Sequence, residues 1–367
     1  MKKIFIVAGD KSGDLYGGYL CKKLKDKYGN LEIYSFGGSC LAQYSLQLVN
    51  LISHSVSGIY EVIFSLKNLI HILNQAYREI QRIKPHLIIL IDFPDFNLRL
   101  AKKINRRIPV FYYVSPQLWA WRTKRVEIIK QYVDKMIVIF HFEKEFYKQK
   151  GIDALYFGHP LLEIIKNHDI PVKKNIISFM PGSRKNEIKH HLPVMEKTKE
   201  ILKKEISGYS YRIIKTENIT ETFYHRYSRM PLEPHSYRAI GESKFIVTSS
   251  GTATIEIAIM GVPYIIIYKL NPISWQILKR IVKTEFAGMV NILAQEKIVD
   301  ELLQNKATPS HISKRILYYL NNDSCYQEIS NKLKKIQERL SPYGATDRFA
   351  SYIGNYLNME ENETKRK

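Results

Sequence analysis

Short apolar runs alternate with amphipathic stretches along most of the chain. In the first half the apolar runs lie at residues 3–8, 32–36, 87–91, 110–114 and 135–140. Continuous runs of this length are typical of strands buried on both faces, whereas intervening stretches have helical periodicity. The alternation predicts an α/β protein with a parallel, doubly wound sheet, in which ligands bind beyond the carboxyl ends of the strands.

The pattern weakens around residues 162–174 and then starts again. A second set of apolar runs lies at residues 176–179, 211–214, 245–248 and 264–268. A chain of 367 residues is long enough for two domains that each bury a core. We predict a Rossmann-like domain at residues 1–163, a linker at 164–174 and a second Rossmann-like domain at 175–340, with parallel sheets facing a central cleft.

The most informative turn joins the run at residues 245–248 to a helical pattern. Ser250, Gly251 and Thr252 are small enough for a ligand oxygen to approach the N–H groups at the start of that helix. Glu256 lies about one helical turn further on, where a carboxylate can accept hydrogen bonds from ribose hydroxyl groups. The turn predicts a diphosphate site; the alternative is a capped turn with a surface glutamate.

A second turn of this kind follows the run at residues 176–179. It contains Gly182, Ser183 and Arg184, and an arginine can donate two parallel hydrogen bonds to a phosphate. Two such turns in one predicted sheet favour an anionic ligand over the alternative of a solvated basic loop. The histidine pair at 190–191 has no Cys or spaced His partner, and we interpret it as helix surface, not as a metal site.

Acidic residues follow two strands of the first predicted domain. Asp92 comes directly after the apolar run at residues 87–91, where burial would raise the pKa of its carboxyl group, as suits a general base. Asp95 is a second candidate, although it can also cap the next helix. Asp10 and Asp14, in the turn after the first strand, are similar candidates. The chain has no D-x-D motif, which disfavours metal-dependent sugar-nucleotide chemistry.

Residues 59–73 form a strongly amphipathic helical pattern. Its apolar positions are Ile59, Val62, Ile63, Phe64, Leu66, Leu69, Ile70 and Leu73. One face of such a helix packs on the core. The remaining apolar surface predicts a patch for acyl chains or a membrane surface, with burial between helices as the alternative.

The composition points to an anionic partner. The formal net charge is +21, which fits nucleic acid, an anionic membrane surface or phosphorylated substrates; a general basic bias of the source proteome would look the same. Three widely spaced cysteines form no metal-ligand spacing or disulfide framework. No apolar run approaches the ~20 residues of a membrane span. We expect a protein of the reducing cytoplasm.

Several motifs connect the chain with a known family. They are GDKSGD, SGIYEVI, DFPDFNLRLAKK, YYVSPQLWAWRTKRV, FEKEFY, FGHPLLE, PGSRKNEI, SSGTATIEIAIMGVP and LKRIVKTEFAGMVNILA. In this order they resemble the lipid-A-disaccharide synthase family. The resemblance implies the two-domain GT-B fold and a final helix at residues 341–357 that crosses back to the first domain. The tail at 358–367 is charged, has no apolar periodicity and is expected to be frayed. It also implies transfer from UDP-2,3-diacylglucosamine to 2,3-diacylglucosamine 1-phosphate (lipid X), with inversion, a β-1,6 linkage and release of UDP.

By position, the resemblance also assigns roles to the candidate residues. It implies that Asp92 is the catalytic base and that the acceptor side is lined by Asp10, Ser12 and Asp14. The implied nucleotide-binding residues are Gly182, Ser183, Arg184, Ser250, Gly251, Thr252, Ala253, Glu256 and Asn291. The segment after Gly58 would receive acyl chains at an anionic membrane surface, on the cytoplasmic face of the inner membrane. No metal, other cofactor or nucleic acid is expected.

Two other classes of function stay open. A UDP-sugar 2-epimerase, or another GT-B UDP-sugar enzyme, shares the double-Rossmann plan but has no need for an acyl-binding segment. A basic nucleic-acid-binding protein would need Arg and aromatic side chains interleaved on one surface, and the sequence contains no recognisable module of that type. One departure from the family lies in the first turn, where Asp10 and Lys11 stand at positions that usually hold Glu and a small residue or Pro.

Overall fold

The computed structural model contains two compact α/β units. It describes residues 1–54, 62–120, 123–166, 168, 171–271, 275–276 and 284–359, with backbone alone for residues 53, 54 and 62–67. The first unit comprises Met1–Glu163 and Leu340–Lys367, and the second comprises Ile164–Arg339. Residues 164–174, predicted as a linker, belong to the second unit.

Seven parallel strands form the sheet of the first unit. They are β1 (Lys2–Ala8), β2 (Leu31–Gly37), β3 (Leu46–Asn50), β4 (Leu87–Ile91), β5 (Val110–Tyr113), β6 (Lys135–Val138) and β7 (Ala154–Tyr156). Their spatial order is β3-β2-β1-β4-β5-β6-β7. Every residue of β4 is buried, because helices cover both faces of a parallel sheet.

Helices connect these strands. They are α1 (Lys11–Lys27), α2 (Ser39–Ala42), α3 (Leu51–His54), α4 (Val62–Ile83), α5 (Pro94–Ile104), α6 (Val126–Tyr132), α7 (His141–Lys148) and α8 (Pro160–Lys166). On α4, Ile72, Ala76 and Ile80 recur one turn apart and join Phe5 and Leu90 in the core. This spacing is the helical periodicity visible in the sequence.

Six parallel strands form the sheet of the second unit. They are β8 (Ile176–Met180), β9 (Ser210–Lys215), β10 (Leu232–Pro234), β11 (Phe245–Ser249), β12 (Tyr264–Tyr268) and β13 (Glu301–Leu303), in the spatial order β10-β9-β8-β11-β12-β13. The helices are α9 (Lys185–Glu205), α10 (Glu221–His225), α11 (Tyr237–Gly241), α12 (Ala253–Ile259), α13 (Met289–Ala294), α14 (Pro309–Leu320) and α15 (Asp323–Leu340).

The last helix, α16 (Ala345–Tyr356), belongs to the first unit. The ring of Phe349 lies 5.7 Å from that of Phe157, and Asp347 pairs with Lys27 of α1 at 3.1 Å. A Cβ atom on Gly354 would come within 1.9 Å of the hydroxyl group of Tyr28. Glycine at this position therefore lets α16 lie close to the end of α1.

The strands predicted from continuous apolar runs are confirmed, and the errors lie at strand ends and sheet edges. The run at 135–140 predicts too long a strand, because Phe140 serves as the N-cap of α7. The pattern misses β3, β7, β10 and β13, which are the edge strands of the two sheets. Their residues are largely half-exposed, so they lack the apolar run that marks a central strand.

Candidate active site

Each sheet has a topological switch point, where successive strands diverge to opposite sides. In the first sheet it lies between β1 and β4, which pair directly with Ala8 opposite Ile91. The carboxyl ends of these strands bring together Asp10 and Asp92, which are far apart in the sequence. Doubly wound sheets bind ligands at such points, and this pair forms the candidate site of the first unit.

The backbone at Asp92 has an unusual conformation. Asp92 and Phe93 have φ angles of 43° and 48°, in the left-handed region that non-glycine residues rarely adopt. The carbonyl oxygen of Asp92 accepts hydrogen bonds from Asn97 Nδ2 at 2.7 Å and from Tyr112 Oη at 2.6 Å. A Cβ atom on Gly9 would lie 2.2 Å from the ring of Phe93, so glycine is required there. These contacts fix the position of the Asp92 carboxyl group.

Asp10 and Asp92 form a hydrogen-bonded pair of carboxyl groups. Burial is the main cause that raises the pKa of Asp10, and it raises the pKa of Asp92 well above the usual range, with a further contribution from the charge of Asp10. Asp10 is also the N-cap of α1, where it accepts a hydrogen bond from the N–H of Gly13 at 2.7 Å. Two carboxyl groups that hydrogen-bond to each other share a proton, which the pair can exchange with a ligand hydroxyl group.

A third acid, Glu143 of α7, is buried close to this pair and contributes to the raised pKa of Asp92. Glu143 accepts hydrogen bonds from Trp119 Nε1 at 3.3 Å and from the N–H of Phe140 at 3.2 Å. Burial nevertheless raises the pKa of Glu143 to about 8. No pattern in the sequence singles out Glu143 beyond its place in the FEKEFY motif.

The other acceptor-side candidates have supporting positions. Asp14 is buried, and its carboxylate accepts hydrogen bonds from the N–H groups of Gly38, Cys40 and Leu41 at 2.6, 2.9 and 3.2 Å. Asp14 therefore holds the start of α2 against α1. Ser12 lies half-buried in the first turn of α1, where its N–H donates to the carboxylate that caps this helix.

Asp95 stands apart from the carboxyl pair. It is exposed and forms an ion pair with Arg125. The helix α5 begins at Pro94, so Asp95 lies inside its first turn and is not its N-cap. The expectation that Asp95 caps a following helix is therefore wrong, and its charge is neutralised on the surface.

The switch point of the second sheet lies between β8 and β11. After β8, Glu187 Oε2 accepts hydrogen bonds from the N–H groups of Ser183 and Arg184 at 3.0 and 3.4 Å. Gly182 has a φ of 118°, and a Cβ atom there would lie 2.3 Å from the Glu187 carboxylate. The Arg184 side chain is 81% exposed. Glu187 thus occupies two N–H groups of this turn with Oε2, and its Oε1 lies 3.5 Å from the exposed guanidinium group of Arg184.

The turn after β11 is more open. Gly251 has a φ of 151°, and among the described residues no atom beyond its chain neighbours lies within 4 Å of the position of a Cβ atom. Ser250 Oγ donates a hydrogen bond to the carbonyl oxygen of Ala287 at 2.9 Å. The helix α12 begins at Ala253, but the N–H groups of Thr254 and Ile255 already donate to the carbonyl oxygens of Gly251 and Thr252 at 3.1 and 3.0 Å. A ligand would therefore meet the turn before α12 and not the first turn of the helix. That this turn binds an anion stays a prediction.

Glu256 of α12 is buried, so the alternative of a surface glutamate is wrong. Its Oε2 lies 2.9 Å from Nε2 of His235, the residue that follows β10. No sequence pattern points to His235, because the contact depends on the pairing of strands distant in sequence. Glu256 is thereby oriented by a histidine while its other oxygen, Oε1, lies outside this contact.

His191 is also buried, so its prediction as helix surface is wrong. Its Nε2 accepts a hydrogen bond from the N–H of Lys269 at 3.0 Å, and its Nδ1 donates to the carbonyl oxygen of Pro181 at 2.7 Å. Burial lowers the pKa of His191 and keeps the ring neutral. This histidine ties the turn after β8 to the end of β12.

Asn291 is buried, and its side-chain amide is engaged within the protein. Its Nδ2 donates to the carbonyl oxygen of Val299 at 2.9 Å and to Glu301 Oε1 at 2.8 Å, while Oδ1 accepts two backbone N–H groups. Glu301 Oε2 in turn accepts the N–H of Ala287 at 2.8 Å. Asn291 thus supports the loop that holds Ser250.

The predicted acyl patch lies on and before α4. Ile59 is outside the described residues, as are the side chains of Val62, Ile63, Phe64 and Leu66. Between α4 and α5 there is a groove of about 190 Å³, lined by Leu69, Ile70, Leu73, Asp95, Phe96 and Arg99. In the part of the chain that the structure describes, we find no helix with the length and apolar character of a membrane span.

Comparison with known proteins identifies one family. Residues 4–348 match the family model described as lipid-A-disaccharide synthetase. The chain is 34% identical to a lipid-A-disaccharide synthase of Syntrophus aciditrophicus (strain SB), over 95% of this chain and 96% of the relative. A match of this extent covers both units.

Solved structures of lower identity share the fold. The UDP co-structure of S. aureus MnaA has a TM-score of 0.68 at 14% identity and covers 98% of this chain and 97% of its own. The crystal structure of Acinetobacter baumannii MurG has a TM-score of 0.55 at 13% identity and covers 97% and 100%. These similarities show a two-domain Rossmann-like GT-B fold and carry no argument for the epimerase alternative.

Proposed function

We propose a mechanism for a chain that belongs to the lipid-A-disaccharide synthetase family and is therefore a glycosyltransferase of lipid A biosynthesis. As substrates we propose UDP-2,3-diacylglucosamine as the donor and lipid X as the acceptor. Transfer of the donor sugar to the acceptor forms a β-1,6 linkage and releases UDP. Family membership supports both substrates.

In this mechanism Asp92 accepts the proton of the acceptor's 6-hydroxyl group while that oxygen attacks the anomeric carbon of the donor. The observation that carries the assignment is the carboxyl pair of Asp92 and Asp10 at the switch point of the first sheet. A carboxylate with a raised pKa is a stronger base than an ordinary aspartate, as deprotonation of an alcohol requires. Attack opposite the leaving group inverts the anomeric configuration.

The second unit, in this proposal, binds the UDP part of the donor. The exposed guanidinium of Arg184 and the backbone of the open turn at Gly251, which leads into α12, stabilise the negative charge that develops on the diphosphate. Glu256 accepts hydrogen bonds from the ribose. Gly182 and Asn291 act indirectly by shaping the two turns, since their contacts are made within the protein.

No metal ion or other cofactor takes part in the proposed reaction. Arg184 supplies positive charge beside the leaving group, which is the role that a divalent cation has in metal-dependent glycosyl transfer. We expect equal turnover in excess EDTA and in added Mg²⁺. Loss of turnover on chelation, with recovery on adding a metal, would contradict this part of the proposal.

We place the enzyme on the cytoplasmic face of the inner membrane, at its anionic surface. Both proposed substrates carry acyl chains, and the groove between α4 and α5 has apolar walls with Ile70 46% exposed. Lys102 and Lys103 lie in the last turn of α5, and the chain has a net charge of +21. Basic side chains are attracted to anionic lipid headgroups.

The direct test is UDP release from UDP-2,3-diacylglucosamine by the purified protein in detergent micelles, with and without lipid X. We expect release that requires lipid X and a disaccharide 1-phosphate as the second product. Turnover of unacylated UDP-N-acetylglucosamine in the absence of lipid X would support the UDP-sugar 2-epimerase alternative instead. UDP binding without release would keep the nucleotide site and refute the proposed substrates.

A further inference from the structure

We propose that Asp10 is the final proton acceptor of the reaction, reached from the substrate through Asp92. In this relay Asp92 receives the proton of the acceptor hydroxyl group and passes its own proton to Asp10. The inference rests on the glycosyl transfer proposed above. It adds a second proton-carrying residue, on a different strand end of the same switch point.

The unequal hydrogen bonding of the two carboxyl groups locates the charge of the pair. Asp10 accepts hydrogen bonds from the N–H groups of Gly13 and Ser12 at the positive end of the α1 dipole. Asp92 accepts a backbone hydrogen bond from the N–H of Phe93. The charge of Asp14 disfavours an anion at Asp10, but it contributes less than either of the two N–H groups that bind Asp10. A proton shared by two carboxyl groups rests on the one whose anion is less stabilised. At rest, therefore, Asp92 carries the proton and donates it to Asp10.

A protonated Asp92 cannot act alone as a base, and the relay removes this difficulty. The O–H bond of the acceptor breaks as its oxygen bonds to the anomeric carbon, and the bond from that carbon to the diphosphate oxygen breaks with its electron pair on UDP. One Asp92 oxygen takes the hydroxyl proton while the other releases a proton to Asp10. The pair begins with one proton, ends with two, and returns the extra proton to water after product release.

The other acids near the pair are unsuited to receive this proton. Asp14 uses its oxygens for three backbone N–H groups. Glu143, with its pKa raised to about 8 by burial, is largely protonated at neutral pH. The hydroxyl group of Tyr112 donates a hydrogen bond to the carbonyl oxygen of Asp92. Burial raises the pKa of this hydroxyl group well above the usual range. Asp10 is therefore the acceptor that the arrangement provides.

The backbone of Asp92 is held in a way that a relay requires. Asn97 and Tyr112 bind its carbonyl oxygen, and the Phe93 ring packs against Gly9, next to Asp10 in the chain. The packing of Phe93 on Gly9 links the ends of β4 and β1 directly, and the two hydrogen bonds tie Asp92 to α5 and β5. Transfer between two carboxyl groups depends on such preorganisation, because the proton must move over a short and constant distance.

The test compares Asp10→Asn, Asp10→Glu and the exposed-acid control Asp26→Asn, also on α1, in the lipid-X-dependent assay with the full chain. Asparagine caps a helix as well as aspartate but cannot accept a proton. We expect Asp10→Asn to lower kcat by about 10²-fold at unchanged acceptor KM and melting temperature. Asp10→Glu should restore most of the turnover, and Asp26→Asn should match the wild type.

A proton inventory in mixtures of H₂O and D₂O separates the relay from a supporting role of Asp10. Two protons move in one step in the relay, so the wild-type rate should curve with deuterium fraction, whereas the residual rate of Asp10→Asn should vary linearly. A linear wild-type inventory, or wild-type turnover by Asp10→Asn, would overturn the relay and leave the proposed function intact. If the wild-type protein forms no disaccharide, both the relay and the proposed function are wrong. If Asp10→Asn fails to fold, the wild-type inventory alone decides.

Discussion

The switch points of the two units have the same topology and opposite surroundings. In the first unit the strand ends carry Asp10 and Asp92, whose pKa values are raised mainly by burial. In the second unit they carry glycines, hydroxyl groups and the 81% exposed side chain of Arg184. One arrangement of strands therefore carries a buried acidic pair in one unit and an exposed cation in the other.

The two units also differ in how they hold an unusual backbone conformation. The first places Asp92 and Phe93 at left-handed φ angles and compensates with hydrogen bonds to the carbonyl oxygen. At its own switch point the second unit has Gly182 and Gly251 at positive φ, where glycine has no steric penalty. Of the two switch points, only that of the first unit therefore holds non-glycine residues in this conformation.

Replacing the carboxyl group of Asp92 by an amide should abolish proton transfer in the first unit and leave UDP binding by the second unit unchanged. We expect Asp92→Asn to lower kcat by about 10³-fold, because its amide cannot accept a proton, with UDP affinity unchanged. The measurements are lipid-X-dependent UDP release and calorimetric titration with UDP. The control is Asp153→Asn, an exposed acid just before β7 of the same unit, which should retain turnover. Near-normal turnover of a folded Asp92→Asn protein would refute the assignment.

The buried acid Glu143 should make stability depend on pH. Its pKa is raised from 4.5 to about 8 in the folded state, so the stability it contributes is fully present below pH 4.5 and is lost as the pH rises through about 8. The loss should be about 3–5 kcal/mol and should disappear in Glu143→Gln. Urea unfolding at pH 5 and pH 8.5 measures it. The exposed control Glu127→Gln should keep the wild-type dependence; equal slopes in all three proteins would refute the prediction.

Removing the Arg184 side chain should weaken the anion site without affecting the acid pair. We expect Arg184→Ala to reduce UDP affinity by about 10- to 100-fold, since a charged hydrogen bond contributes about 1.5–3 kcal/mol. Calorimetric titration with UDP is the measurement. The control is Lys332→Ala, which removes an exposed cation paired with Glu328 on α15 of the same unit. Equal losses in both variants would indicate a general charge effect instead of a phosphate contact.

The smallest expected effect concerns the groove of the first unit. Ile70→Ser should lower binding to vesicles that contain anionic lipid by about threefold, because Ile70 is already 46% exposed and loses only part of its burial energy. Cosedimentation with vesicles measures it. Leu46→Ser removes a similarly exposed side chain, 58% exposed, from β3 of the same unit. The same loss in both variants would show that the groove has no special role.

Local patterns in the sequence were sufficient to predict the central strands and the turns that follow them. The run at 87–91 coincides with β4, and the small residues at 250–252 lie between β11 and α12, because a strand buried on both faces must be continuously apolar and a tight helix entry needs small residues. Asp92 was recognisable as a candidate for the same reason. It is the first polar residue beyond a buried strand.

The remaining features of the site depend on contacts between segments that are distant in the sequence. The pairing of β1 with β4 brings Asp10 to Asp92, the burial of α7 raises the pKa of Glu143, and Asn291 is turned inward by Glu301. None of these follows from neighbouring residues. Desolvation and hydrogen bonding depend on which strands become neighbours and how deeply a side chain is enclosed, and both are properties of the folded chain as a whole.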